Sequence, residues 1–79
     1  MYNKGLALYH LGKHEEAIAE YDKAITINPN YFKAINNKGN ALRALGKHKE
    51  AIAEYDKALA INPGDFLARS NKNSTLNDM

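Results

Sequence analysis

Few side chains in this sequence have the types and spacing that metal binding would require. His10 and His14 are four residues apart, the spacing of a zinc-binding pair on one helix. Gly12-Lys13 lies between them and interrupts the helix, so the two histidines do not share one helix face. The chain also has no cysteine, which excludes thiolate metal sites and a cysteine nucleophile. We therefore expect no metal and no cofactor.

The acidic side chains do not form the paired arrangement that catalysis needs. They lie in two similar stretches, beside lysines at the three-residue spacing of surface ion pairs on a helix. No glycine-rich phosphate-binding motif accompanies them. This pattern predicts a solvated charged face and a protein that is not an enzyme. The acids of these two stretches are Glu15, Glu16, Glu20, Asp22, Glu50, Glu54 and Asp56, and only Asp65 and Asp78 lie outside them.

Composition predicts one small domain. The chain has 79 residues, 44% of them hydrophobic, and a formal charge of +2. That charge is too small to indicate nucleic acid or a membrane surface as the partner. No apolar run approaches the roughly 20 residues that span a bilayer, and no signal peptide is visible at the N-terminus. These observations favour a cytoplasmic protein.

A 34-residue repeat organises the chain. Leu11-Gly12-Lys13-His14 recurs as Leu45-Gly46-Lys47-His48, and Ile27-Asn28-Pro29 recurs as Ile61-Asn62-Pro63. Residues 1–30 and 35–64 are identical at 21 of 30 positions. A third, partial copy begins at Phe66, which matches Phe32. We predict a first repeat over 1–30, a second over 31–64, and a partial third repeat or capping helix over 65–79.

Each repeat predicts two helices, here called the A helix and the B helix. Apolar residues at helical spacing predict A helices near 2–11 and 31–45, and B helices near 14–27 and 48–61. A glycine ends each A helix and an Asn-Pro pair ends each B helix. Asn30 and Asp65 are predicted N-caps of the second and third A helices, and we expect Phe66 and Leu67 to pack on the second hairpin. The fold class is all-α, built from antiparallel helix-turn-helix units.

The repeat resembles the tetratricopeptide repeat. The family pattern reads here as Ile35-x2-Lys38-Gly39-x2-Leu42, then Ala51-x3-Tyr55, then Pro63, and the first repeat gives the same series from Met1 to Pro29. Lysine stands where the family has leucine, and tyrosine where it has phenylalanine. The resemblance implies an α-α superhelix, a solenoid whose A helices line a concave groove that binds a protein or peptide.

The resemblance implies a binding face on the A helices. The second A helix carries Lys33, Lys38 and Arg43 and no acid, so we expect a neutral to basic groove that suits an acidic peptide. Asparagine amides would bind the peptide backbone, and aromatic side chains would anchor it. The alternative is a solvated helix face with no ligand. The candidate binding residues are Tyr2, Leu6, Tyr9, Lys33, Asn36, Asn37, Asn40 and Arg43.

Two more specific functions can be compared with the residues. Chaperone-binding members of the family hold a terminal carboxylate with a clamp that begins with Lys and Asn, but Tyr2 and Leu6 stand at those positions. Asn37 alone fits, since Leu67 and Asn71 replace the later basic residues, so we do not expect a chaperone clamp.

Met1 falls on the core stripe, which suggests a piece of a longer array. Exposed end faces would then favour chain-to-chain stacking or a domain-swapped homo-oligomer, against the alternative of a monomer with a frayed first helix.

Overall fold

The computed structural model describes all 79 residues, and its regular elements are five helices with no strand. They are α1 (Tyr2–His10), α2 (His14–Ile27), α3 (Phe32–Ala44), α4 (His48–Ile61) and α5 (Phe66–Asp78). The prediction of an all-α fold is confirmed. The A helices are α1, α3 and α5, and the B helices are α2 and α4.

Glycine ends the A helices because the backbone there is left-handed. Gly12 and Gly46 both have φ +80°, a conformation that costs other residues energy. An added Cβ would meet nothing within 4 Å at either glycine, so it is the dihedral angle and not space that requires glycine. The N–H of Lys47 donates to the carbonyl of Leu42 at 2.9 Å, which closes the helix end in the Schellman manner.

The two predicted N-caps have different outcomes. Asp65 caps α5, because its carboxylate accepts hydrogen bonds from the N–H groups of Leu67 and Ala68. The prediction for Asn30 is wrong: the N-cap of α3 is Tyr31, which offers no side-chain hydrogen bond. The N–H of Asn30 instead donates to the side chain of Asn28 at 3.2 Å. Tyr31 is the repeat equivalent of Asp65, so α3 and α5 begin at the same place but only α5 has a capping side chain there.

Each hairpin is packed around one tyrosine of its B helix. Tyr21 and Tyr55 are fully buried, and each ring lies against a glycine of the preceding A helix. A Cβ added at Gly5 or Gly39 would lie 2.6 Å from the ring, a distance that no carbon pair tolerates. Small residues thus lie where the two helices of a hairpin touch, and the tyrosine rings fill the space between them.

The A helices approach one another while the B helices diverge. Each helix packs on its neighbours in the chain, and in addition α1 contacts α3 and α3 contacts α5. α2 and α4 do not contact each other. This difference curves the stack of hairpins, as expected for a superhelical repeat array. The A helices therefore close one side of the protein, and a gap remains between the B helices on the other side.

α5 packs through small side chains rather than through its largest apolar ones. Ala68 and Thr75 are buried, whereas Phe66 is 85% exposed and Leu67 is 69% exposed. The prediction that Phe66 and Leu67 pack on the second hairpin is therefore wrong. Leu67 occupies the repeat position of Lys33, which is also exposed, so the helix register and not hydrophobicity decides which side chains are buried.

Candidate functional site

Most of the predicted binding residues lie on one side of the A helices, which we call the A-helix face. Two depressions mark this face. The first, of about 280 Å³, is lined by Tyr2, Lys33, Asn36 and Asn37 among others. The second, of about 240 Å³, is lined by Tyr9, Asn40, Arg43, Ala44 and Asp78. Of the predicted residues, only Leu6 lines neither depression.

A chain of hydrogen bonds ties neighbouring A helices together on this face. The Asn37 amide donates to the Tyr2 hydroxyl at 2.9 Å, which joins α3 to α1. The Asn40 amide donates to Asn37 at 3.3 Å, and the Tyr55 hydroxyl donates to Asn40 at 2.6 Å. Burial raises the pKa of the Tyr2 hydroxyl. These amides are therefore held in fixed orientations before any ligand arrives.

Asn36 serves the α3–α5 contact. Its side-chain oxygen accepts a hydrogen bond from the Asn71 amide at 3.3 Å, and the residue is only 5% exposed. Asn36 is the repeat equivalent of Tyr2, and Asn71 that of Asn37, so the same contact is built twice with different side chains. The structure thus places Asn36 beneath the first depression, with little surface available to a ligand.

The basic groups of α3 are divided between the two sides of the protein. The Lys38 ammonium lies 2.7 Å from Asp22 and 3.9 Å from Glu54, on the side of the B helices. The expectation that Lys38 adds to a basic groove is wrong. Five residues advance an α-helix by about 140° beyond a full turn, which carries Lys38 away from Lys33.

Arg43 stays on the A-helix face but is already paired. Its Nε donates to the Asp78 carboxylate at 2.7 Å, which joins α3 to α5. This hydrogen bond raises the pKa of Arg43 and lowers that of Asp78. Lys33 is exposed and forms no ion pair, so it is the free cation of α3 on this face.

One difference between the two hairpins was missed from sequence. The hydroxyl of Tyr21 is buried and has no hydrogen-bond partner, whereas the Tyr55 hydroxyl bonds to Asn40. Leu6 stands where the second repeat has Asn40, so the first hairpin lacks the acceptor. Burial raises the pKa of Tyr21 to about 12. Aligning the repeats column by column would have found this substitution.

The histidines do not form a metal site. The rings of His10 and His14 lie 5.7 and 5.1 Å from the ring of Tyr9, measured between ring centroids. No group of three or more His, Asp or Glu side chains is placed to hold a metal ion. The Nδ1 atoms of His14 and His48 are buried without a partner, at equivalent starts of α2 and α4.

Comparison with known proteins agrees with this architecture. The sequence model of the tetratricopeptide repeat matches residues 2–66. The chain belongs to the tetratricopeptide repeat family. No curated protein sequence matches it significantly. None of the helices of this tetratricopeptide repeat chain is long and apolar enough to cross a membrane.

Two solved structures are similar to this tetratricopeptide repeat chain. One is the first tetratricopeptide repeat domain of Spaghetti (RPAP3) bound to the HSP90 peptide SRMEEVD, with a TM-score of 0.93 and 28% sequence identity over 98% of this chain. The other is the first such domain of the human RPAP3 protein, with a TM-score of 0.92 and 29% identity over 96% of this chain. The present chain spans 61% and 60% of those two chains.

Proposed function

We propose that this tetratricopeptide repeat chain is a protein-interaction module that binds an acidic peptide segment across the A-helix face. The observation that carries the proposal is the pair of depressions on this face, with exposed Lys33 beside the first and Arg43 beside the second. The similar domain of Spaghetti (RPAP3) is bound to the peptide SRMEEVD, which contains two glutamates and a final aspartate. Exposed Lys33 would attract such a sequence electrostatically, although Asp65 and Asp78 also line the two depressions.

Each predicted residue has a distinct role in this proposal. Tyr2 and Tyr9 supply partly apolar walls for side chains of the peptide, one in each depression. Asn37 and Asn40 offer remaining amide donors and acceptors, already oriented by their mutual hydrogen bond. Lys33 attracts the acidic side chains. Asn36 supports the surface from below by holding Asn71.

Arg43 joins the site only in exchange for another carboxylate. Its guanidinium bonds to Asp78, so a peptide carboxylate must displace Asp78 or share the remaining N–H groups. Asp78→Asn removes the competing charge. We expect this variant to bind the acidic peptide several-fold more tightly, as measured by calorimetric titration, and we expect Arg43→Gln to abolish that gain.

The proposal does not include a clamp for a terminal carboxylate. Tyr2 and Leu6 stand where chaperone-binding members of the family have Lys and Asn. Recognition then rests on internal acidic side chains. We expect SRMEEVD with a free C-terminus and with an amidated C-terminus to bind with similar affinity.

The decisive experiment compares two peptides and two charge-reversal variants. Labelled SRMEEVD and its analogue without acidic side chains, SRMQQVN, are titrated at low salt, and fluorescence anisotropy is followed. Lys33→Glu should weaken binding of the acidic peptide by about tenfold, which corresponds to about 1.4 kcal/mol. Lys49→Glu is the matched control, because Lys49 is also exposed and unpaired but lies on α4. Equal binding of both peptides, or equal loss in both variants, would contradict the proposal.

Self-association is the second candidate, favoured by apolar surface at both ends of the stack. A depression of about 300 Å³ at the α1–α2 end is lined by Met1 and Ile27, and Ile27 is 68% exposed. At the other end Leu76 and Met79 are exposed. Such surfaces would allow one copy to stack on the next. Sedimentation velocity over a range of concentrations should show an assembly that Ile27→Glu dissolves, and a monomer throughout would reject this candidate.

A further inference from the structure

A second groove lies on the opposite side of the protein, between α2 and α4. Its volume is about 410 Å³, larger than either depression on the A-helix face. Leu42 of α3 and Leu45, which directly follows α3, form its floor, and Ile18 and Ala53 form its walls. We call it the B-helix groove.

The groove exists because the B helices diverge. α2 and α4 do not contact each other, and residues of α3 line the gap between them. Lys38 spans the gap and joins Asp22 on α2 to Glu54 on α4. Its side chain is 23% exposed and lines the groove. The groove is thus a built feature of the fold.

The rim of the groove is acidic. Lys38 compensates Asp22 and Glu54, but Glu15 and Glu50 also line the groove and form no ion pair. Lys47 is the only other cation along it. An apolar floor bordered by unpaired carboxylates is complementary to a partner with aliphatic side chains flanked by lysine or arginine.

We propose that the B-helix groove binds a basic amphipathic helix of a partner protein. The groove extends along α2 from Glu15 to Asp22, about two helical turns or roughly 10 Å. Two turns of a bound helix would place aliphatic side chains on Leu42 and Leu45. Cationic side chains on the flanks of that helix would reach Glu15 and Glu50. Side chains of the bound helix would pack into the grooves between side chains of the helices beneath it.

The repeat supplies matched variants for the test. Ala53 and Ala19 are equivalent alanines of the two B helices, and both are exposed, but only Ala53 lines the groove. Ala53→Arg fills the groove and adds a repelling charge, whereas Ala19→Arg makes the same change outside it. Glu50→Lys reverses a charge on the rim. Glu16→Lys is its control, because Glu16 is the repeat equivalent of Glu50 and lies outside the groove.

The probe is a labelled helix-forming peptide with leucines on one face and lysines on the other, and a second peptide has glutamate in place of each lysine. Fluorescence anisotropy at low salt should show binding of the lysine peptide only. Ala53→Arg and Glu50→Lys should each weaken it by about tenfold or more, and the two controls should leave it within about twofold. Circular dichroism of each variant shows whether it is folded.

Several results would overturn the proposal. They are no binding of the lysine peptide to the folded wild-type chain, equal binding of the glutamate peptide, or equal losses in groove and control variants. The test is separate from that of the A-helix face. Lys33→Glu should leave binding of the lysine peptide unchanged, and SRMEEVD should not displace it.

Discussion

The two buried tyrosines provide a direct test of what an unpaired hydroxyl costs this fold. Tyr21 and Tyr55 have the same burial, the same glycine neighbour and the same repeat position. They differ in that the Tyr55 hydroxyl bonds to Asn40, whereas the Tyr21 hydroxyl has no partner. Replacing each with phenylalanine removes one oxygen atom and leaves the ring in place.

Only one of the two substitutions should destabilise the fold. Tyr55→Phe loses a hydrogen bond of 2.6 Å and leaves the oxygen of Asn40 without its donor, at a cost of about 1 kcal/mol. Tyr21→Phe removes a buried group that is not hydrogen-bonded, and burying such a group costs roughly 1–3 kcal/mol. We expect Tyr21→Phe to be neutral or stabilising. The variants should differ in unfolding free energy by at least about 1 kcal/mol, or roughly 4–8 °C in melting temperature.

The assay is urea unfolding followed by circular dichroism, with free energies extrapolated to water. A double-mutant cycle isolates the cause. Leu6→Asn introduces the acceptor that the second repeat has at Asn40, and it should be more favourable beside Tyr21 than beside phenylalanine by about 0.5–1.5 kcal/mol. The reasoning is refuted if Tyr21→Phe destabilises as much as Tyr55→Phe, or if the cycle shows no coupling.

Three further perturbations follow from packing, ion pairing and ionisation. Gly39→Ala should lower the unfolding free energy by about 1–3 kcal/mol because the added Cβ would lie 2.6 Å from a tyrosine ring. Gly64→Ala should change the unfolding free energy little, since the atom nearest to its Cβ is 3.8 Å away. Equal urea midpoints of the two variants would contradict this prediction. Lys38→Gln should destabilise the fold by about 1 kcal/mol because it leaves two carboxylates without their shared cation. Lys4 is exposed and lies 4.0 Å from its partner, so Lys4→Gln should destabilise it by less than about 0.5 kcal/mol. Similar losses of the two variants in urea unfolding would reject the difference. Tyrosine in the unfolded chain ionises near pH 10, whereas burial raises the pKa of Tyr21 to about 12. The contribution of Tyr21 to the free energy of unfolding should therefore be fully present below pH 10 and be lost as the pH rises through 12. Tyr21→Phe should reduce that loss in alkaline unfolding curves.

The sequence predicted the helices closely because the signals that define them are local. The predicted B helices, 14–27 and 48–61, coincide with α2 and α4, and the A helices agree within one residue at each end. Gly46 ends α3 because the backbone there is left-handed, which only glycine adopts readily. The N-cap prediction at Asn30 was wrong because the N-cap position of α3 falls one residue later, at Tyr31, while the N–H of Asn30 bonds to the Asn28 side chain in the preceding turn.

The candidate site was predicted less completely. Spacing placed Tyr2, Asn37 and Arg43 on one face, and the structure brings them to the A-helix face. It did not show that Asn37 bonds to Tyr2 or that Arg43 bonds to Asp78, since these partners are 35 residues apart in the chain. Whether the face binds a peptide stays a prediction.

The 34-residue sequence repeat determined which segments are helical, where the chain turns between them, and that the same hairpin is built twice. Those properties depend on backbone dihedral angles and on apolar spacing within a few residues. The tertiary structure alone decided the partner of each polar side chain, such as Lys38 between two B helices and Asn36 beneath α5. Hydrogen bonds and ion pairs depend on distances of about 3 Å between helices, and the approach of those helices is set by how whole hairpins pack.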